Sequence, residues 1–299
     1  MSPTMREKPR LIQKVKQLLR RAGLPRWLHR FGPKKYEFWQ HALVLLVKQE
    51  CKQGYRRACN LLRELGHTVP TYSAVAKMAC RLPASLWQRL LVATISFTAV
   101  AIAAIDSTGL SRSNPSYHYI RRIDRDGPVG RAVKLSILVD TRRRKILAAR
   151  FRALPTHDVR DVKCLLKRTP ITPRKIVGDS AYDDELNVFK PCHDRNIIAV
   201  VKPYKTRKNG FYRRKMRKHY DLRTYHRRPC VESAFGALKQ KYGGSVRCHT
   251  ARTQRAEVFC RLILHNLSLW LSDFFNAPGA SENYINLNAA LKQSFSSKG

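Results

Sequence analysis

Three acids stand where side chains could act together on a phosphate ester. Asp106 closes an apolar run from Val100 to Ile105, Asp179 follows a second short apolar stretch and Gly178, and Glu232 falls near the start of a predicted helix. In open α/β sheets ligands collect where strands end, so two strand-end aspartates and one helix carboxylate could converge on one edge. An oxygen-only donor set suits Mg²⁺, with Mn²⁺ as a substitute. Two such ions roughly 3.5–4 Å apart would activate a water or a 3′-hydroxyl and stabilise the leaving oxygen at a phosphodiester. Each acid also has a structural use: Asp106 could open the Ser107-Thr108-Gly109 turn, Asp179 could cap the helix after it, and Glu232 suits a first helical turn.

The bulk charge agrees with a phosphate-bearing partner. Fifty-nine Lys and Arg against twenty Asp and Glu give +39 over 299 residues, with a pI near 10.7. Such a chain needs a polyanion, and nucleic acid is the obvious one. A membrane is excluded as the site of insertion: the longest uncharged run, Leu90 to Ile105, is 16 residues and contains Thr94, Ser96 and Thr98, short of the roughly 20 apolar residues a bilayer needs. The N-terminus is basic and polar, without the apolar centre of a secretory signal. Eight cysteines are scattered without a C-x-x-C pair, which reads as reduced packing residues in an intracellular setting. The adjacent pairs Cys192-His193 and Cys248-His249 lack the spacing of structural zinc ligands.

The elements that must position the acids follow from periodicity. Residues 1–36 form a basic arm with eleven Lys or Arg and one acid, Glu7; Leu11, Val15, Leu18 and Leu19 are spaced for a short amphipathic helix, with disorder as the alternative. Residues 37–90 read as helical throughout. Within them, residues 53–81 have the outline of a helix-turn-helix with Thr71 as an N-cap, an outline shared by any two packed helices. From residue 91 to 275 the pattern becomes α/β: strands Val100–Ile105, Arg131–Asp140 and Lys145–Leu154 as a meander, a helix from Thr156 to Lys167 capped by Thr156 or Asp158, a strand Lys175–Val177, a helix Asp183–Arg195 and a fifth strand Ile197–Val201. Residues 202–228 carry twelve Lys or Arg against Asp221 alone, interleaved with Tyr204, Phe211, Tyr212, Tyr220 and Tyr225. This segment is expected to be a loop suited to backbone phosphates and unstacked bases. A helix starting at Pro229 carries Val231, Phe235, Leu238 and Tyr242 as its apolar stripe and stops at Gly243-Gly244; a long helix, Arg252–Phe275, follows, and residues 276–299 read as a tail. Because the residue before proline avoids the helical region, Tyr225 and Arg228 are expected to precede the helix, on a loop that folds against its first turn, and need not share its face with Glu232 and Lys239 by periodicity alone.

Over roughly Ile102 to Asn266 the sequence resembles the DDE-type insertion-sequence transposases. The first acid matches Asp106 in Ala104-Ile105-Asp106-Ser107-Thr108-Gly109, and the second matches Asp179 in Gly178-Asp179-Ser180-Ala181-Tyr182-Asp183. The third lies in a Y-x2-R-x3-E-x6-K signature that Tyr225, Arg228, Glu232 and Lys239 meet at every spacing. The resemblance implies an RNase H-like α/β fold, here a mixed five-stranded sheet flanked by helices and preceded by an all-α region. It implies a DNA transposase that cleaves transposon ends and joins the 3′-ends to target DNA with two Mg²⁺ held by Asp106, Asp179 and Glu232, while Tyr225, Arg228 and Lys239 contact DNA phosphates. The implied partners are double-stranded DNA, as terminal inverted repeats and target, and a second copy of the chain; the implied location is the prokaryotic cytoplasm, at the nucleoid. Some relatives carry a long domain between the second acid and the glutamate, whereas 53 positions separate Asp179 from Glu232 here. A nuclease of the same fold without strand transfer, or a non-catalytic DNA-binding relic, are the alternatives. His118, His157 and Asp158 are further candidates for supporting the site.

Overall fold

The computed structural model describes residues 10–28, 34–112, 132–204 and 206–275. The tail 276–299 and His118 lie outside the described residues. Five helices open the chain: α1 (Arg10–Arg21), α2 (Phe38–Glu50), α3 (Tyr55–Glu64), α4 (Tyr72–Arg81) and α5 (Ala84–Ala93). Thr71 caps α4 as expected, its hydroxyl accepting from the Ala74 N–H at 3.4 Å. The basic arm is docked over its described part. Val15, Leu18 and Leu19 of α1 are buried, and Arg89 donates from Nε and an Nη to the Ala22 carbonyl at the helix end.

The sheet follows: β1 (Ile102–Arg112), β2 (Ala132–Asp140), β3 (Ile146–Arg152), β4 (Lys175–Gly178), β5 (Ile198–Val201) and β6 (Ser245–Val246). The order is β3-β2-β1-β4-β5, with the β1–β2–β3 meander antiparallel and β4 and β5 parallel to β1. The expectation of five strands is corrected to six, because the Gly243-Gly244 stop directs the chain back beside Ser111 and Arg112 of β1 as a two-residue parallel strand. Asp106 is also not at a strand end: β1 runs six residues beyond it, held by continuous antiparallel pairing to β2. The other edge of β1 is different. It pairs with β4 over Ile102–Ala104 and with β6 over Ser111 and Arg112. The stretch between them, with Asp106, is therefore an opening in the sheet, which is why an acid can sit mid-strand.

Alternation along β1 divides the core into two. Ala104 and Leu110 belong to an apolar layer built with α1–α5, α10 (Pro229–Tyr242) and α11 (Ala251–Phe275). Ala103 and Ile105 belong to the opposite layer, formed with α6 (Val159–Arg168), a π-helical turn (Glu185–Phe189) and the short α7 (Lys190–His193) that continues it. One apolar cluster thus runs from the N-terminal helices into the sheet, and α11 packs on α2, α4 and α5. Among the described residues no helix is long and apolar enough to cross a membrane.

The basic aromatic segment 202–228 is not an open loop. It contains α8 (Phe211–Arg217) and α9 (Leu222–Tyr225), and α8 is drawn onto the π-helical turn by acids. Asp183 is fully buried and accepts from Arg213 Nε at 2.7 Å, Arg217 Nη2 at 3.0 Å and the Tyr204 N–H at 2.8 Å. Glu185 caps the first turn of α8, accepting from the Tyr212 and Arg213 N–H groups. Charge counting along the sequence missed this because Asp183, far upstream, neutralises two arginines that look unopposed locally, and Glu185 bonds the backbone of the helix they lie on.

Candidate active site

Asp106 and Asp179 arrive at the same height by register. The parallel pairs Ile102↔Lys175, Ala103↔Ile176 and Ala104↔Val177 carry a constant offset, which extended two residues sets Asp106 opposite Asp179. Two residues is one pleat period, so each aspartate points to the face of Ala104 and Val177, the face covered by α10. Gly178 is needed for this approach, since a Cβ there would lie 3.2 Å from Ile105 Cγ2 and from the Tyr182 ring. Both aspartates are half-buried. Each also does the local work that its sequence position suggested: Asp106 Oδ1 accepts from the Ser107 N–H at 2.8 Å, and Asp179 Oδ1 from the Ala181 N–H at 2.9 Å.

Burial pushes the Asp106 carboxyl above its usual range; the Ser107 N–H opposes this, Asp179 and Asp158 push it further up, and Arg228 pulls it down. Tyr182 is buried beneath the same carboxylates, and burial followed by Asp158, Asp106 and Asp179 holds its phenol well above the ordinary value. Its hydroxyl faces Ser107 without a hydrogen bond of good geometry. Asp158 precedes α6 but does not cap it. Its carboxylate is paired instead with the buried Lys134 of β2.

Glu232 lies in the first turn of α10, exposed, with Oε1 2.7 Å from Arg228 Nη2. The segment expected to carry Arg228 against the first turn as a loop is instead helical. Arg228 has φ −54° and ψ −43°, helical despite the following proline, and the Val231 N–H reaches its carbonyl at 3.1 Å. The turn from α9 supplies the bonds that offset the pre-proline clash: the Arg228 N–H donates to Tyr225 and the Cys230 N–H to Arg227. Arg228 and Glu232 therefore share a helical face at i, i+4. Arg228 also feels the charge of Asp106, after those of Glu232 and Tyr225. Tyr225 ends α9, half-buried with its ring 5.9 Å from that of Tyr220, and Lys239 is exposed on α10 beside Thr108 and Leu110 of β1.

A hard divalent cation fits Asp106 and Asp179, whose mutual repulsion it would relieve and whose donors are all oxygen. Glu232 is not brought to them while it bonds Arg228; among the described residues no three His, Cys, Asp or Glu side chains are grouped closely enough to hold a metal ion.

Comparison with known proteins decides the family. The model of the transposase DDE domain matches residues 101–267, more than half of the chain. The chain belongs to the transposase DDE domain family. It is accordingly a DNA transposase, an enzyme of metal-dependent DNA cleavage and transfer, with DNA as its partner. The matched span opens one residue before β1 and ends within α11, taking in all six strands. The solved synaptic complex of a piggyBac transposase with hairpin DNA is similar at a TM-score of 0.46 and 11% identity, over 90% of this chain and 73% of that one; this likeness carries no argument about the site. No curated protein shows a significant match.

Proposed function

We propose that Asp106, Asp179 and Glu232 are the acids that hold two Mg²⁺ ions, and that the chain cleaves at transposon ends and joins the freed 3′-ends to target DNA, as a dimer. The observation that carries this reading is the register that puts Asp106 and Asp179 side by side, beneath the helix that bears Glu232, in the unpaired stretch of β1. Bound there, the ions would supply Lewis acidity to the phosphodiester and a deprotonated water or 3′-hydroxyl.

The chain's own residues do the positioning. Asp106 and Asp179 keep Oδ1 on local amides, which restrains each carboxylate. Arg228 is the hinge of the arrangement: its guanidinium holds Glu232, and a phosphate of the strand being cut offers it a better-charged bidentate partner. Glu232 is then released toward the aspartates, half-exposed and free to change rotamer. Lys239, seven residues and about 10 Å along α10, neutralises a second phosphate, and Tyr225 braces the strand on the N-terminal side. The α3–α4 pair, with Arg56 stacked 4.9 Å from the exposed Tyr72 ring, contributes duplex contacts from the helical region 37–90.

The test is strand joining. A pre-cut transposon end is offered with supercoiled plasmid and Mg²⁺; the expected product is the end joined to the plasmid. Hydrolysis of the DNA with no joined product would replace this reading by a nuclease of the same fold.

A further inference from the structure

A basic groove leaves the catalytic centre on the side of the sheet away from Glu232. Its first reach, about 850 Å³, opens beside Asp158 and Ala181 and is walled by Arg160 at the start of α6 and by Asn187 and Arg207 opposite. The second, about 560 Å³, is walled by Lys163 and Lys167 of α6 against Lys190 of α7 and Arg195 in the turn after it. α6 and the π-helical turn line both, through Asn187 in the first and Leu186 in the second, so the two lie next to each other along α6.

Arg160, Lys163 and Lys167 are spaced i, i+3, i+7, a single stripe on α6, opposite the buried Val162, Leu165 and Leu166. Arg160, Lys163, Lys167, Lys190, Arg195 and Arg207 are all exposed, and none forms an ion pair with a described acid. The acids that line the groove are mostly occupied: Asp158 pairs with Lys134, and Asp184 accepts from the Leu186 and Asn187 N–H groups. Asp194 alone stands exposed, near His193. Arg195 and Arg207 each donate to a backbone carbonyl, of Leu166 and Asp183, but the six positive charges face one another across a concave channel without an ion-pair partner, and repel unless an anion lies between them.

We propose that this groove is a backbone track for DNA, carrying the strand away from the catalytic aspartates along α6. The stripe from Arg160 to Lys167 spans about 10 Å, which at about 3.4 Å of axis per phosphate accommodates three phosphates. The groove has no Phe, Tyr or Trp in its walls, and His157 is the one ring that lines it, so its contacts are chiefly to charge rather than to bases. This inference rests on the chain acting on DNA, and adds the path that the DNA takes.

The experiment is lysine footprinting of the full chain at equimolar random-sequence 20-base-pair duplex, acylating amines and reading each site by mass spectrometry. Lys163, Lys167 and Lys190 are expected to lose reactivity about fivefold or more, and the triple variant Lys163→Gln, Lys167→Gln, Lys190→Gln is expected to lower the slope of log affinity against log salt by about 2.7, or about 2.1 for a single strand. Unchanged reactivity with an unchanged slope would overturn the track, as would protection by phosphatidylserine vesicles but not by DNA. Glu232→Gln, footprinted in parallel, separates the two readings. Unprotected lysines with normal metal-dependent cleavage would remove the track alone; protected lysines with full cleavage by Glu232→Gln would remove the catalytic assignment alone.

Discussion

Asp183→Asn is the change that most directly probes how the basic segment after β5 is held. The native carboxylate is fully buried and takes two guanidiniums and one backbone N–H, from Arg213, Arg217 and Tyr204. Burial alone would raise its pKa; the Tyr204 N–H and the two arginines outweigh that and leave it below the ordinary carboxylate value. Asparagine keeps the shape but offers one acceptor oxygen and turns an NH₂ toward a cation, leaving both arginines, half-buried or deeper, without a counter-charge. Breaking a buried ion pair from one side costs about 3–5 kcal/mol. At about 2 °C per kcal/mol for a chain of this size, the thermal midpoint should fall by about 6–10 °C. The sign of the pH dependence follows from the lowered pKa: the carboxylate stabilises fully above its unfolded value of about 4, and that contribution is lost as pH falls below it. The gap between wild type and variant should therefore be full at pH 7 and narrow toward pH 3. Calorimetric scans across that range are the assay. A loss under about 2 °C, or a gap that does not narrow in acid, would refute the reasoning.

Other substitutions test single contacts. Gly178→Ala puts a Cβ 3.2 Å from Ile105 and the Tyr182 ring, and should cost about 1–3 kcal/mol in urea unfolding by overpacking while lowering cleavage, because Asp179 is the next residue. Thr71→Ala removes a cap whose bond is long, 3.4 Å, so the loss should be at the low end, about 0.5–1 kcal/mol, with cleavage unchanged. Arg228→Ala breaks a solvent-screened i, i+4 pair and should leave the midpoint within about 0.5 kcal/mol of wild type; DNA affinity should fall with it, and an unaltered affinity would remove Arg228 from the phosphate contacts.

What could be read from sequence was what periodicity controls. The β2 and β3 strands, β4 and β5, the start of α10 at Pro229 and its stop at Gly243 all stand within a residue or two of their expected places, because each is bounded by a proline, a glycine or a change of period. The misplacements of Asp106 and of segment 202–228 come from distant partners, and that of Arg228 from the local turn. Asp106 read as a strand end because Ser107-Thr108-Gly109 is turn-like, yet pairing to β2 carries the strand through it. Arg228 read as a loop residue on its proline neighbour, but α9 leads into α10 with its hydrogen bonds in place. Segment 202–228 read as an open loop because Asp183 and Glu185, which gather α8, lie some twenty residues away or more. The stripe of Arg160, Lys163 and Lys167 took on meaning only with α7 standing across from it.

The central claim is that Glu232, though bonded to Arg228 in the free chain, is the third metal acid. Its most direct test is the cleavage of transposon-end DNA in Mg²⁺ by Glu232→Gln, with binding to the same DNA measured alongside. The variant keeps size and helix position, so binding should stay close to wild type while cleavage disappears. Cleavage at the wild-type rate would contradict the account.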